Sequence, residues 1–312
     1  DHTGEDLAGI GTAAKKVKEK ETDTHMPNVK LLQPGSLDEA VNLLAAQNED
    51  TKVISGGTAL VIMLKNRLIA PATLLSLGRL SELRNIRHEP GTGLRIGAMV
   101  TIREAELSPL IRDKQPTLAQ TFGKVGNVRV RHAATVGGNL TEADYASDPP
   151  CVLVALRARV KARSSTGDRE IPLVNLFKGF YETTLTADEI LTELIVPDPE
   201  PGTRSTYLKY VSRSSEDRPC AGMAALFETR ADGTCKELRL VAGAVAEIPQ
   251  EISAAEEQAR DQKLSAKLID HIAQAYADAI EPLSDLRGSA WYRKQMIRVL
   301  ARRALQQVSA VN

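Results

Sequence analysis

The chain is poor in aromatic residues, with four Phe, six Tyr and one Trp, or 4% of 312 residues. Stacking platforms for single-stranded nucleic acid are built from such rings, so that mode of binding is disfavoured. No charge of one sign predominates either: 40 Lys and Arg offset 40 Asp and Glu, for a formal net charge of +0. Nucleic-acid binders carry a basic surplus, and a neutral chain, with little self-repulsion, associates readily. Cysteine is scarce and odd in number: Cys151, Cys220 and Cys235 lie far apart with no C-x-x-C spacing. The chain therefore holds no iron–sulfur cluster by itself, and the three read as reduced thiols of a cytoplasmic protein. No apolar run approaches the roughly 20 residues of a membrane span, and the first residues lack the apolar core of a signal peptide. His2, His25, His88, His132 and His271 are scattered. They form neither a metal-ligand spacing nor a Ser/His/Asp or Cys/His pattern.

What is present is a composition ordinary for a globular protein, 42% hydrophobic and 26% charged, over a length that suits two or three domains. Two glycine pairs beside small polar residues stand out: Ser55-Gly56-Gly57-Thr58 and Thr135-Val136-Gly137-Gly138-Asn139. Each follows an apolar run that reads as a strand. Glycine lets the backbone approach an anion closely, and successive N–H groups form an anion-binding nest. Two such nests can clamp one dinucleotide pyrophosphate from both sides. Neither loop fits the G-x-G-x-x-G fingerprint or the G-x-x-x-x-G-K-[ST] P-loop, which disfavours an ordinary Rossmann or nucleotide-hydrolase site.

Residues 1–25 read as a tail rich in Lys and Glu, with Met26-Pro27 opening the folded unit. Ser36 with Glu39 resembles a capping box ahead of an amphipathic helix over 37–46. Thr51 to Ser55 reads as a strand, Leu60 to Leu68 as a helix and Leu74 to Leu77 as the next strand, an α/β unit. A second region begins at Leu94. It carries a helix opened by Thr101 and Glu104, another over 117–126, and Val128 to Arg131 leading into the second glycine loop. Asp148-Pro149-Pro150 reads as the cap of a helix through Leu156. A hairpin turns at Gly167-Asp168, and a strand ends at Pro197. Pro197 to Gly202 is the best domain boundary. Three antiparallel strands follow (205–212, 221–229 and 237–245, with a turn at Asp232-Gly233), then helices over 254–261, 267–280 and 290–307. The fold class expected is α/β plus α+β.

The glycine loops together carry a resemblance. From Met26 to the C-terminus the chain resembles the FAD-binding middle subunit of the molybdenum hydroxylases, the group of carbon monoxide dehydrogenase and bacterial xanthine dehydrogenases. It does so through VISGGTALVIMLK at 53–65, RHAATVGGNLTEADYASDPP at 131–150, DEILTELIVP at 188–197, YLKYVSRSSED at 207–217 and GSAWYRKQMIRVLARRAL at 288–305. The resemblance implies a two-subdomain FAD domain of the vanillyl-alcohol-oxidase (PCMH) type over 26–200, its subdomains about 26–80 and 81–200, and a C-terminal flavoprotein domain over 201–312. It implies noncovalent FAD, with the diphosphate and its neighbouring parts wrapped by Val53, Ile54, Ser55, Gly56, Gly57, Thr58 and Ala59, and the clamp completed by Thr135, Gly138 and Asn139. Asp148 is expected to accept from ribityl or ribose hydroxyls, Leu191 to pack near the flavin or adenine, and Lys209 to approach the isoalloxazine. No catalytic residue is expected on this chain, since hard redox chemistry belongs to the cofactor. The partners implied are a large molybdopterin subunit, a small [2Fe–2S] subunit and an electron acceptor, in a dimer of heterotrimers.

Taken without the resemblance, the same residues have plainer roles. Asp148 serves equally as a helix N-cap, Lys209 as the solvated face of a strand and Leu191 as core; Arg129, Arg131 and His132 read as a solvated basic face. Two departures stand out: Ala59 occupies a position where the family commonly has an acidic or polar residue, and Glu142-Ala143-Asp144-Tyr145 replaces a frequent His-Ala-Asp-Pro. A self-sufficient flavin oxidase of the same fold and a flavin-free assembly protein are the rival readings. The absence of a histidine for FAD attachment in the first loop and the short C-terminal module weigh against the oxidase. The agreement of two loops and an acidic residue on one ligand weighs against the assembly protein.

Overall fold

The computed structural model describes residues 29–46 and 50–310, so the expected tail over 1–25 lies outside the described residues. The chain begins as β1 (Lys30–Leu32), α1 (Leu37–Ala46), β2 (Thr51–Ile54), α2 (Leu60–Lys65) and β3 (Thr73–Ser76). The three strands pair in parallel in the order β1-β3-β2. The Ser36 hydroxyl accepts from the Glu39 N–H at 3.2 Å, whereas the Glu39 carboxylate reaches one residue further back, to the Gly35 N–H at 2.7 Å. On α1, Leu37, Ala40, Val41 and Leu44 are buried at the helical spacing, and they form one small core with Leu75 of β3.

The second region runs β4 (Ile86–Glu89), β5 (Gly93–Gly97), α3 (Ile102–Leu107), α4 (Pro109–Lys114), α5 (Pro116–Phe122), α6 (Val128–Ala133), α7 (Val136–Glu142), α8 (Asp148–Ala155), β6 (Arg159–Ser164), β7 (Gly167–Pro172), β8 (Phe177–Gly179), β9 (Glu182–Thr183) and β10 (Ile190–Val196). Its antiparallel sheet has the order β4-β5-β10-β6-β7. All seven residues of β10 are buried, so the strand farthest along the sequence sits at the centre of the sheet. The Thr101 capping box opens α3 as expected, with side chain and backbone bonded reciprocally to Glu104.

One segment departs from its sequence pattern. The alternation V-R-V-R over 128–131 reads as a strand but forms α6. Asn127 caps it by accepting from the Val130 N–H at 3.0 Å, and Arg131 ties its guanidinium to the Val125 and Gly126 carbonyls. Local side-chain bonds to backbone override the two-residue period.

The last region is β11 (Arg204–Tyr210), β12 (Ala221–Thr229), β13 (Cys235–Gly243), β14 (Gln250–Glu251), α9 (Ser253–Glu256), α10 (Ala266–Ala279) and α11 (Ala290–Ser309). Four strands, not three, pair antiparallel in the order β11-β12-β13-β14. The added β14 has only two residues, too short for a periodic signal. Along β12, Met223, Ala225 and Phe227 face the core under α10 and α11, while Ala224 and Leu226 join the core around α8. Both faces of the sheet are thus buried. Helix α8 is buried at every position, as a helix packed on all sides requires.

Candidate functional site

The first glycine loop leaves β2 and enters α2. The N–H groups of Gly56, Gly57, Thr58 and Ala59 donate to no acceptor among the described residues, nor do the Ser55 and Thr58 hydroxyls bond to a described residue. Residues 53–60 are all half-buried, so these donors line a partly sheltered surface. Gly57 holds φ at +72°, where a side chain is strained. Four consecutive unused N–H groups, two small hydroxyls and no carboxylate make a donor set that fits a pyrophosphate.

The second glycine pair behaves differently from the expectation. It lies in the first turn of α7, and its N–H groups are already used. Val136 donates to the Val100 carbonyl at 2.9 Å, Gly137 to Ala98 at 2.8 Å, Gly138 to the Thr135 hydroxyl at 3.1 Å and Asn139 to the Thr135 carbonyl at 2.9 Å. The reading of a second open nest is therefore corrected: these glycines serve packing. A Cβ on Gly137 would lie 2.6 Å from the Ala98 Cβ, and one on Gly138 would lie 3.8 Å from the Ser55 Cβ. A Cβ on Gly56 would in turn stand 1.9 Å from the Ala133 carbonyl oxygen. Missing side chains thus bring the first loop against α6 and α7, and the two glycine pairs meet. Within the second segment only side-chain groups remain to face a ligand. Thr135 is 3% exposed, and its hydroxyl caps α7; the Asn139 amide exchanges hydrogen bonds with Ser147 at 2.9 and 3.1 Å.

Asp148 is the first residue of α8, and Ser147 occupies the cap position, so the helix-cap role is corrected. The Asp148 carboxylate is 4% exposed and doubly engaged. Tyr207 donates its hydroxyl to one oxygen at 2.7 Å, and Lys209 donates its ammonium to the other at 2.9 Å. Lys209 also donates to the Lys124 carbonyl at 2.7 Å, so its place on a solvated face is corrected as well. Burial pushes the Asp148 carboxyl upward, and Lys209 opposes that shift. The same burial, only partly offset by Asp148, lowers the Lys124 ammonium. Asp148 and Lys209 are brought together, but each is the other's partner across the junction of α8 and β11. Leu191 is 4% exposed in the main core, on β10. Arg131 pairs with Glu106 at 2.9 Å, so it supports α6 instead of facing solvent.

Tyr207 is the partner of Asp148 that sequence reading missed. It stands two residues before Lys209 on β11, and the two-residue strand period places both on one face. Gly222 on β12 makes room for it, since a Cβ there would lie 2.7 Å from the tyrosine oxygen. A cleft of about 640 Å³ opens elsewhere, along β13 and α9. Its walls are neutralised by the pairs Arg157–Glu237, Arg239–Glu251 and Arg260–Glu257.

The family model described as the FAD binding domain in molybdopterin dehydrogenase matches residues 27–199. The one described as the CO dehydrogenase flavoprotein C-terminal domain matches residues 206–308. This chain belongs to the FAD-binding subunits of the molybdopterin dehydrogenases. The glyceraldehyde dehydrogenase medium chain of Sulfolobus acidocaldarius is 31% identical over 283 residues, spanning 91% of this chain and 99% of that one. The carbon monoxide dehydrogenase medium chain of Hydrogenophaga pseudoflava is 32% identical over 283 residues, spanning 89% and 96%. Among solved structures, carbon monoxide dehydrogenase from Hydrogenophaga pseudoflava superposes with a TM-score of 0.86 at 31% identity over 90% of this chain and 97% of that chain. Quinoline 2-oxidoreductase from Pseudomonas putida 86 gives 0.85 at 28% identity over 91% and 98%. The flavoprotein subunit is thus an oxidoreductase component whose FAD domain contains both glycine pairs. No helix among its described residues is long and apolar enough to cross a membrane.

Proposed function

We propose that this subunit binds FAD noncovalently and relays electrons from a partner's [2Fe–2S] clusters to an external acceptor. The observation that carries the reading is the run of unused N–H groups over Gly56 to Ala59, set against a helix that begins eighty residues later. In this reading Val53, Ile54, Ser55, Gly56, Gly57, Thr58 and Ala59 hold the diphosphate by backbone and hydroxyl donation. Gly138 keeps α7 close to Ser55, while Thr135 and Asn139 contribute side-chain groups only. Leu191 packs near the flavin or adenine, whereas Asp148, expected at the ribityl or ribose hydroxyls, and Lys209, expected at the isoalloxazine, are bonded to each other and act on the cofactor through the position and charge of that buried pair. When bound, FAD supplies a redox couple that protein side chains lack. The chain's part is to bind it, orient it and limit water around it.

The division into an FAD domain over 26–200 and a C-terminal domain over 201–312 is supported by the family matches ending at 199 and resuming at 206, and the separate sheet of β1, β2 and β3 supports subdomains meeting near residue 80. Relatives named medium chains support assembly with larger and smaller partner subunits; in this reading those carry the molybdopterin and the [2Fe–2S] clusters, and the whole is a dimer of heterotrimers. Three free, buried thiols suit a cytoplasmic place.

The test is an absorption spectrum of the isolated chain before and after adding FAD and then dithionite. Flavin bands near roughly 370 and 450 nm that bleach on reduction, and a flavin released by acid, are expected of a noncovalent redox flavoprotein. A chain that neither carries nor takes up FAD, alone or copurified with its partner subunits, refutes the reading.

A further inference from the structure

The single tryptophan of the chain is not in its core. Trp291, in the first turn of α11, is 70% exposed, and Leu286, in the turn that leads into this helix, is 100% exposed. The charges that follow are one-sided. From Leu286 to Asn312 there are six Lys and Arg and no Asp or Glu, although the whole chain has a formal net charge of +0. Arg287 and Arg293 are held within the protein by Asp285, at 3.0 and 2.6 Å. Lys294 leans on α10, donating to the Asp278 carbonyl at 3.0 Å. Arg302 stands 3.7 Å from Asp270, a pair exposed on both sides and therefore weak. Arg298 and Arg303 bond to no described residue.

Helical spacing gathers these side chains. Trp291, Gln295, Arg298, Arg302 and Gln306, three or four residues apart, are all exposed, along about 22 Å of helix. The opposite face, with Ile297, Leu300, Ala304 and Leu305, is buried in the C-terminal core. Lys294, Arg298 and Arg302 follow one another at intervals of four, where like charges repel. Carboxylates at that spacing relieve such a face when it meets only water, and α11 has none. The composition is that of an interface core, where Trp and Arg are concentrated and Lys and Glu are depleted. The neutral total of the chain offers no broad field to a nucleic acid or an anionic lipid surface. What fits is a protein face with carboxylates opposite the arginines and an apolar pocket for Trp291.

We infer that the exposed stripe of α11, Trp291 with Arg298 and Arg302, is the surface on which a partner subunit docks through an acidic face. The inference rests on the assembly reading above. The stripe belongs to the C-terminal domain and shares no residue with the glycine loops.

The experiment uses the complex copurified with its partner subunits and follows dissociation on dilution by mass photometry, at low and at high salt. The parent is compared with Trp291→Ala and with Arg298→Glu/Arg302→Glu. The parent should dissociate more readily at high salt, because opposed charges are screened. Trp291→Ala should raise the dissociation constant at least roughly tenfold, as loss of a buried anchor does, and keep the salt dependence. The double reversal should raise it at least as far and remove the salt dependence or invert its sign. Each isolated variant chain should melt as the parent does, since the stripe packs against nothing within the fold. Variants that assemble like the parent at both salt concentrations overturn the inference and leave assembly itself intact. Variants that assemble normally but lose binding to phosphatidylserine vesicles, or lose self-association of the isolated chain, assign the stripe to a membrane or to a second copy and overturn it too. An isolated variant that melts well below the parent shows the stripe to serve the fold, with the same consequence. A parent chain that copurifies with no partner refutes the assembly reading, and the docking surface with it.

Discussion

Replacing Gly56 by alanine tests the meeting of the two glycine pairs directly. The new Cβ would stand 1.9 Å from the Ala133 carbonyl oxygen, 2.7 Å from its carbon and 3.1 Å from the Ala134 Cα. Non-bonded heavy atoms sit near 3.5 Å, so one backbone must retreat by roughly 1.5 Å. All three neighbours are main-chain atoms at the end of α6, and none can swing aside as a side chain does. Overpacking of this kind costs about 1–3 kcal/mol, or about 2–10 °C in melting temperature for a chain of this size. The retreat also moves the open N–H run away from α7, so the dissociation constant for FAD should rise at least roughly tenfold, which is about 1.4 kcal/mol. Gly91→Ala is the matched comparison: its φ is +81° but nothing lies within 4 Å of its Cβ position. It should cost about 1 kcal/mol of stability from backbone strain alone and leave FAD affinity intact. Differential scanning calorimetry and flavin fluorescence titration supply both quantities. A Gly56→Ala variant with parental melting temperature and FAD affinity would refute the close-approach argument.

Two further perturbations address the buried charges. Lys209→Met leaves the Asp148 carboxylate desolvated with only Tyr207 to bond, and urea denaturation should show a loss of about 3–5 kcal/mol. Replacing both residues, as Asp148→Leu/Lys209→Met, should restore most of it; a single variant costing under about 1 kcal/mol would contradict the buried pair. Glu256 accepts from the Leu240 N–H at 2.8 Å, and burial pushes its carboxyl up to about 7, with that N–H opposing and Glu251 adding to the rise. A raised folded-state value means its stabilising contribution is complete below about 4.5 and is lost as pH rises through 7. Glu256→Gln should therefore match the parent near pH 4 and exceed it by about 1 kcal/mol above pH 7, after allowance for screening by solvent. Parallel pH–stability curves for the two proteins would remove this assignment.

Features coded by neighbours in the chain were legible in the sequence. Thr101 and Glu104 make their capping box wherever the helix packs, because both partners lie within one turn. Asp232-Gly233 turns β12 into β13 with Gly233 at φ +80°, and the hydrophobic run over 190–196 forms the buried central strand. The small, uncharged composition of residues 55–59 likewise fixed an open N–H run after a strand. Other outcomes depend on partners distant in sequence. The Gly138 N–H goes to the nearby Thr135 hydroxyl, but the Val136 and Gly137 N–H groups are spent because the Val100 and Ala98 carbonyls arrive from the other side of α3, which no local pattern encodes. Asp148 meets Lys209 and Tyr207 only because the sheet that carries β11 packs on α8 through β12 and β13, so its carboxylate became half of an ion pair in place of a helix cap. The sequence determined which residues could bind an anion; the tertiary structure decided which of their donors remained free, because a hydrogen bond satisfied within the protein is no longer available to a ligand.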